Sequence, residues 1–207
     1  MTKEEKILAY IEKLIPNPVC ELNYHKDYEL LIAVMLSAQT TDKRVNIVTK
    51  ELFSKYNSID KLSSANIKEI ESIVKSLGNY TKKSKAVIDI AKQINKWGYI
   101  PKNRKKLESL PMVGRKTVNV FLSEYYDMPN IAVDTHVERT SKRLGLVRKN
   151  ADVLEIERSL KRKIPKDLWN SFHLRMVHFG RYYCIAKNPK CEDCKLKDIC
   201  KYTKQKA

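Results

Sequence analysis

The sequence predicts an all-α fold, and three observations support this. Apolar residues recur at spacings of three and four along most of the chain, which is the period of an amphipathic helix. We find no segment in which apolar and polar residues alternate at period two, as they do in a half-buried strand. Glycine (5 of 207 residues) and proline (7) are scarce, which disfavours a turn-rich all-β protein.

Each predicted helix rests on its own run of apolar residues. In chain order these runs are Ile7–Ile15, Leu30–Leu36, Val45–Tyr56, Ile67–Leu77, Val87–Trp97 and Val153–Ile164. Every residue of Leu30–Leu36 is apolar, which predicts a buried helix, although the run is far too short to span a bilayer. Residues 103–126 predict two helices joined by a tight turn, because Pro111 and Gly114 interrupt the helical period there.

The chain carries a large positive charge. It has 41 basic and 24 acidic side chains, a net charge of +17, and residues 101–207 hold 25 of the basic ones. A surplus of this size favours a polyanion such as nucleic acid as the partner, with a lysine-rich solvated surface as the alternative. The N-terminus enters a helical pattern without an apolar signal segment, so we expect a cytoplasmic protein, nucleoid-associated if bacterial, that has no membrane partner.

Four of the five cysteines lie close together near the C-terminus, at Cys184, Cys191, Cys194 and Cys200. In a reducing cytosol such a group indicates a metal site rather than a disulfide framework. Thiolates suit either an iron–sulfur cluster or a tetrahedral zinc ion, and the unequal spacing mildly favours the cluster. Cys20 stands apart from the other four, so we expect it to be a small buried thiol.

The turn before the second helix of residues 103–126 predicts a phosphate site. Its sequence is Leu110-Pro111-Met112-Val113-Gly114-Arg115-Lys116-Thr117. A helix that begins after a tight turn leaves main-chain N–H groups without internal partners, and its positive end favours an anion. Lys116 lies in the first turn of this helix. Most lysines at such a position are solvated surface residues, and the functional alternative is an amine nucleophile.

Asp134 lies where the apolar stretch Ile131–Val133 meets the start of another helix. Aspartate is a favoured N-cap residue, which is the structural interpretation. Because Asp134 follows a buried stretch, it could instead face a cleft, where its carboxylate would stabilise a cationic sugar or move a proton.

Together these segments resemble the endonuclease III family, the bifunctional DNA glycosylases of the helix–hairpin–helix superfamily. The likeness extends from Glu21 to Lys201, which is nearly the whole chain. It rests on five features in this order: Glu29–Asp42, Leu110–Thr117, Val133–His136, Phe179–Tyr182 and the four C-terminal cysteines. The ordered set is highly specific.

The resemblance implies a helix–hairpin–helix glycosylase fold made of two domains. A six-helix barrel domain is expected at residues 22–132, with the hairpin at about 103–126. Residues 1–21 and 133–207 are expected to form an iron–sulfur domain, whose loop 184–200 holds one [4Fe–4S] cluster per chain. Double-stranded DNA with a damaged base or an abasic site would lie in the cleft between the domains, where Lys116 and Asp134 would face each other.

The resemblance also implies a chemistry and a set of contacts. The enzyme would remove oxidised pyrimidines, as a monomer, and Lys116 would attack C1′ to form a Schiff base that permits β-elimination 3′ to the abasic site. Asp134 would assist deprotonation and balance positive charge. The cluster would be structural. By similarity, DNA contacts are expected from Gln39, Asn79, Val113, Gly114, Arg115, Thr117, His136, Lys187 and Lys190, with Gln39 filling the space that the flipped base leaves.

Two residues depart from the family pattern. Met112 stands where the family usually has glycine, and if that position needs positive φ the methionine costs about 1–2 kcal/mol. Asn79 stands where the family often has a leucine wedge, so opposite-strand contacts are expected to differ. The alternatives are a mismatch adenine or thymine glycosylase, which typically lacks a lysine at the position of Lys116, and a non-catalytic DNA-binding module.

Overall fold

The computed structural model describes residues 1–204, and this part of the chain is helical with no strand. The helices are α1 (Lys3–Leu14), α2 (Asp27–Leu36), α3 (Asp42–Lys55), α4 (Ile59–Ser63), α5 (Ile67–Val74), α6 (Tyr80–Trp97), α7 (Arg104–Glu108), α8 (Arg115–Tyr126), α9 (Thr135–Leu144), α10 (Val153–Lys163), α11 (Trp169–Tyr182) and α12 (Lys201–Lys204). Two 3₁₀ turns, Lys75–Leu77 and Lys166–Leu168, follow α5 and precede α11. The predicted all-α fold is confirmed, and the last three residues of the expected second domain lie outside the described residues.

The chain divides into two compact units. The internal unit is Cys20–Tyr126 and contains α2 to α8. The terminal unit consists of Met1–Val19 together with the chain from Asp127 onward, and it contains α1 and α9 to α12.

Helix α2 is the centre of the internal unit. All of its residues after Asp27 are buried, as the run of apolar residues predicts. It packs against α3, α6 and α8, while α4 and α5 pack against α6. The buried carboxylate of Glu29 accepts hydrogen bonds from the main-chain N–H groups of His25 (2.7 Å) and Lys26 (3.2 Å), the two residues just before the helix, and so fixes the chain where the helix begins. No helix within residues 1–204 is both long and apolar enough to cross a membrane.

The terminal unit has its own apolar core. Helix α11 packs against α1 and α9, and fully buried side chains from these helices include Ile7, Ile11, Val137, Phe172 and Met176. Where α9 and α11 cross, a Cβ atom added to Gly180 would lie 2.8 Å from the Cβ of His136 and 3.2 Å from its main chain. Only glycine fits at this crossing, because a main chain cannot move aside as a flexible side chain can.

Candidate active site and metal centre

The hairpin between α7 and α8 is closed by its own main chain. The N–H of Leu110 donates to the carbonyl of Leu107 (3.1 Å), and the N–H of Val113 donates to the carbonyl of Leu110 (3.2 Å). The side chains of Leu110 and Val113 are both buried and anchor the turn in the unit. Arg104 ties the two helices together, since it donates to the buried Asn119 of α8 at 2.5 Å.

Helix α8 begins directly after this hairpin. Its first internal hydrogen bond runs from the N–H of Val118 to the carbonyl of Gly114 (3.0 Å), so the amides just before Val118 are those that a helix leaves without internal acceptors. Lys116 lies in this turn with an exposed side chain, whereas the side chain of Thr117 is buried. A DNA contact from Val113 stays a prediction, and its N–H closes the turn.

Met112 adopts a left-handed conformation with φ of 60°. Methionine is costly at this position only if φ is positive, and the structure has that geometry. A residue with a Cβ pays about 1–2 kcal/mol there, which glycine does not. The side chain of Met112 is 39% exposed, so it recovers little of that cost by burial.

Two residues for which DNA contacts are predicted also have positive φ. Gln39 follows the C-terminal end of α2 with φ of 59°, and Asn79 precedes α6 with φ of 47°. Both side chains are exposed. Because asparagine tolerates this region better than most residues, Asn79 suits its place after Gly78, which also has positive φ.

Asp134 is the N-cap of α9. One carboxylate oxygen, Oδ1, accepts hydrogen bonds from the N–H groups of His136 (2.9 Å) and Val137 (2.8 Å). This capping role was the structural interpretation from the sequence. The same bonds fix the orientation of the carboxylate, and the cap does not use its second oxygen, Oδ2. Asp134 is half-buried, so capping does not remove it from solvent.

The imidazole of His136 is half-buried at the same end of α9. Its Nδ1 lies 3.2 Å from Nη2 of Arg139. Burial lowers the pKa of His136, and the charges of Arg139 and Arg181 act in the same direction, while the charge of Asp134 and a hydrogen bond with the main chain of Gly180 raise it in part. His136 therefore gives up its proton more readily than a free histidine does.

The four C-terminal cysteines line one cavity of about 300 Å³ in the terminal unit. Its walls also include the apolar side chains of Leu14, Leu144 and Phe179. All four cysteines are free thiols. Elsewhere in residues 1–204, as in this segment, no three His, Cys, Asp or Glu side chains surround a single metal-ion position. Four soft donors around one apolar cavity fit an iron–sulfur cluster.

Two arginines of α9, one turn apart, hold the first part of the cysteine segment. Arg139 donates to the carbonyls of Gly180 (2.6 Å) and Cys184 (3.2 Å). Arg143 donates to the carbonyls of Ile185 (2.7 Å) and Ala186 (2.9 Å), and its Nη1 lies 3.5 Å from Sγ of Cys184. Burial raises the pKa of the Cys184 thiol, and the contact with Arg143 acts in the opposite direction. No motif in the sequence marks either arginine for this role.

The loop between Cys184 and Cys191 carries the two lysines that were expected to face phosphates. Lys187 and Lys190 are both exposed. The ammonium of Lys190 lies 5.5 Å from the centre of the Tyr183 ring, which packs the stem of this lysine against the loop.

Two protein-family models match this chain. The first, the HhH-GPD superfamily base excision DNA repair protein, matches residues 32–166. The second, the iron–sulfur binding domain of endonuclease III, matches residues 184–200, which are bounded by Cys184 and Cys200.

Relatives match over nearly the full length. Endonuclease III of Bacillus subtilis (strain 168) is 44% identical over 199 residues, which cover 95% of this chain and 91% of that protein. A solved structure of a trapped covalent intermediate of endonuclease III with DNA, an estranged-adenine complex, is 42% identical with a TM-score of 0.93, covering 100% of this chain and 99% of that one. A non-covalent endonuclease III–DNA complex is also 42% identical, with a TM-score of 0.94 and coverage of 100% and 98%. This chain belongs to the endonuclease III family of the HhH-GPD superfamily, whose members are base excision repair DNA glycosylases with AP lyase activity and a [4Fe–4S] cluster.

Proposed function

We propose that this enzyme removes oxidised pyrimidines from double-stranded DNA, and that Lys116 then opens the abasic site, with a monomer sufficient for the reaction. The observation that carries the proposal is the position of Lys116: an exposed amine in the first turn of α8, directly after a rigid hairpin. Because the substrate is the chromosome, the enzyme would act in the cytoplasm, at the nucleoid.

Lys116 is proposed as the nucleophile. Its amine nitrogen would bond to C1′ while the glycosidic bond to the damaged base breaks and the base leaves. Ring opening then gives an imine, which acidifies the hydrogen on C2′. Loss of that proton and cleavage of the bond between C3′ and its phosphate oxygen complete the β-elimination. The trapped covalent intermediate of a relative that is 42% identical supports this route.

Asp134 is proposed to balance the positive charge that develops on the sugar and to assist deprotonation of the nucleophile. Its orientation supports this role, because Oδ1 is committed to two main-chain N–H groups of α9 and the carboxylate is therefore fixed. A fixed carboxylate needs no reorganisation when charge appears nearby.

Phosphate binding is proposed for the start of α8. The amides of Gly114, Arg115 and Thr117 lie at or just before the first helical turn, where main-chain N–H groups and the helix dipole favour an anion. His136 would add a hydrogen bond from its imidazole ring. These contacts carry no sequence information, so they would position the duplex without selecting its sequence.

Gln39 and Asn79 are proposed to contact the duplex at the lesion, with Gln39 filling the space of the flipped base and Asn79 acting at the wedge position. Their exposure at the tips of two loops supports this. Asn79 brings less apolar surface than a leucine, so we expect weaker intercalation and a different opposite-base preference.

Lys187 and Lys190 are proposed to bind phosphates from the loop of the cysteine segment. When bound, the [4Fe–4S] cluster would cross-link Cys184, Cys191, Cys194 and Cys200, and so stiffen this loop. Arg139 and Arg143 would fix the same loop from α9 through its carbonyls.

A trapping experiment tests the nucleophile. Wild-type enzyme with an abasic duplex and borohydride should give a covalent protein–DNA species, because borohydride reduces the imine to a stable amine. Lys116→Gln should give none while its salt-dependent DNA binding stays nearly unchanged. The matched control is Lys92→Gln, which removes an exposed lysine of α6 and should cross-link as the wild type does. Trapping by Lys116→Gln at the wild-type level would end the proposal.

The lesion class requires a separate experiment. A panel of duplexes, each with one oxidised pyrimidine, one oxidised purine or one mismatch, should be incised chiefly at the oxidised pyrimidines. Preferential release of a mismatched adenine or thymine would instead favour the alternative glycosylases.

A further inference from the structure

Lys83 is a buried cation in the internal unit. Its side chain is only 2% exposed, and it is among the largest fully buried side chains of the chain. All three of its N–H donors go to main-chain carbonyl oxygens, those of Leu36 (2.9 Å), Ala38 (2.8 Å) and Leu77 (3.0 Å). The ammonium is therefore fully hydrogen-bonded inside the protein.

Core packing alone does not explain a lysine at position 83. Lys83 occupies the buried stripe of α6 that continues with Val87, Ile90 and Ile94, where an apolar residue would cost no desolvation. Burial of an ammonium is costly unless every donor is satisfied. An apolar residue of similar size would fill the same space and bind no carbonyl, so the lysine provides something that packing does not require.

The three carbonyls belong to two loops that are distant in sequence. Leu36 ends α2, and Ala38 directly precedes Gln39. Leu77 directly precedes the Gly78–Asn79 turn. A single ammonium thus joins the main chain before Gln39 to the main chain before Asn79. The carbonyls at the end of α2 also carry the negative end of the helix dipole, which favours a cation there.

Both loops need such a restraint. Gln39, Gly78 and Asn79 all have positive φ, a region that only a well-restrained chain keeps for residues other than glycine. Because Lys83 fixes the last carbonyl before each of these turns, it also fixes the direction from which the exposed side chains of Gln39 and Asn79 leave the surface.

We propose that Lys83 is a positioning residue for the opposite strand: its ammonium sets the separation of the Gln39 and Asn79 loops, and so controls how well a lesion in a duplex is opened. The inference rests on the proposed function, in which these two side chains contact the duplex at the lesion. It assigns no chemical step to Lys83, because Lys116 would carry out the covalent chemistry.

The test compares two substrates on one variant. Lys83→Met keeps the bulk and removes the three donors. Its excision of an oxidised pyrimidine from a duplex should fall by about 10- to 100-fold, the loss expected when positioning residues shift. Borohydride trapping on a single-stranded abasic oligonucleotide should stay near the wild-type level, since that substrate needs no opening. Its preference among opposite bases should also flatten. Lys92→Met, which removes an exposed lysine of the same helix, is the control and should change neither activity.

The ratio of the two activities separates positioning from folding, because only folded enzyme acts on either substrate. A parallel loss on both substrates, or a duplex rate like that of the wild type, would overturn the proposal. If Lys83→Met does not fold, Lys83→Gln, which keeps two N–H donors, replaces it and should show a smaller loss confined to the duplex. An equal loss on both substrates would contradict the proposal in this variant too.

A double-mutant comparison tests the route of the effect. In a Gln39→Ala, Asn79→Ala background, Lys83→Met should cost little more on the duplex, because the side chains through which it acts are gone. An additive loss would show that Lys83 acts elsewhere and would overturn the inference. Failure of the proposed function would give a different result. In that case the wild type would form no covalent species with the abasic oligonucleotide, or Lys116→Gln would form as much of it as the wild type does.

Discussion

Two cations, one in each unit, are bound in the same way but hold loops of different kinds. Lys83 gives its three protons to main-chain carbonyls before the turns of Gln39 and Asn79. Arg143 gives its protons to carbonyls of the segment that begins at Cys184. Lys83 is fully buried, whereas Arg143 is half-buried and stacks against the ring of Tyr202, with its guanidinium carbon 4.4 Å from the ring centre.

The two sites differ in what stabilises the loops that each cation contacts. The two loops at Lys83 are held by the protein alone, since the ammonium and its three acceptors form a closed set. The main chain of the cysteine segment forms a series of turns, such as the one closed by the N–H of Cys194 on the carbonyl of Cys191 (3.2 Å), and its four thiols line an apolar cavity that suits a cofactor. We therefore expect the internal unit to keep its loops in any metal state and the terminal unit to depend on its cluster.

The largest expected effect follows from removing one cluster ligand. Cys194→Ser should lose the broad absorbance at about 400 nm that iron bound by thiolates gives. The terminal unit should be destabilised by about 4 kcal/mol or more, because loss of a metal site is one of the few changes that give so large an effect. Iron content, visible absorbance and thermal unfolding measure these changes. Cys20→Ser, the matched control in the internal unit, should keep both iron and colour. A colourless wild-type protein with stoichiometric zinc would contradict the assignment of the cofactor.

A smaller effect is expected from Arg143→Met, which removes the donors to the cysteine segment but no ligand. Loss of hydrogen bonds from a charged group costs about 2 kcal/mol. The variant should bind the cluster but release iron to a chelator up to about 30-fold faster, the rate factor that about 2 kcal/mol gives, as followed by the decay of the visible absorbance. Arg148→Met, which removes an exposed arginine paired with Glu155, should release iron at the wild-type rate. Equal rates for the two variants would mean that Arg143 does not support the segment.

Met112, in the hairpin of the internal unit, allows backbone strain to be measured at a site that holds no cofactor. Met112→Gly should stabilise the protein by about 1 kcal/mol, because glycine adopts positive φ freely and the gain exceeds the entropy that glycine adds to the unfolded chain. Denaturant unfolding measures the change. Met112→Ala is the control: it removes the side chain but keeps the Cβ, so it should not stabilise. Equal stabilisation by both variants would assign the effect to the side chain and not to the backbone.

The smallest effect concerns the pH dependence of the internal unit. Burial raises the pKa of Glu124 above its ordinary value of 4.5, although a hydrogen bond from the hydroxyl of Tyr24 (3.1 Å) lowers it in part. The folded state therefore holds this proton more tightly than the unfolded state. Its contribution to stability is full below pH 4.5 and is lost as the pH rises through the folded pKa.

Glu124→Gln should remove that loss, so its stability relative to the wild type should grow as the pH rises from about 4, below the ordinary pKa of 4.5, to about 7, well above it. Unfolding by urea at a series of pH values measures the difference. Glu51→Gln, at an exposed position of α3, should follow the wild-type curve. A constant offset between Glu124→Gln and the wild type would contradict the expectation.

Much of the fold could be predicted from the period of the apolar residues. The run Ile67–Leu77 shows the limit of this approach, since α5 ends at Val74 and the chain continues as a 3₁₀ turn. The apolar period indicates which residues face the core. It does not mark the end of the α-helix, because a 3₁₀ turn can place the next apolar residue on the same face. The cost of Met112 at positive φ could be predicted from the hairpin sequence alone, because a backbone conformational cost depends only on the residue and its own turn.

The residues that hold the loops were harder to find. Lys83 continues the stripe of Val87, Ile90 and Ile94, and a lysine on a buried stripe is the signal that was available in the sequence. Its acceptors are main-chain carbonyls, which every residue has, so no pattern reveals them. For the same reason the contacts of Arg143 could not be predicted. The N–H of Val113 is another main-chain group whose partner inside the turn no sequence pattern reveals.

The crossing of α9 and α11 at Gly180 has a consequence for natural variation. The main chain of His136 lies so close that even one methyl group at position 180 would push the two helices apart. One of them starts at the residue after Asp134, and the other leads directly into Cys184. A single amino-acid replacement at this position would thus disturb the carboxylate and the cofactor segment at once, so inactive alleles should include replacements at position 180 as well as at Lys116.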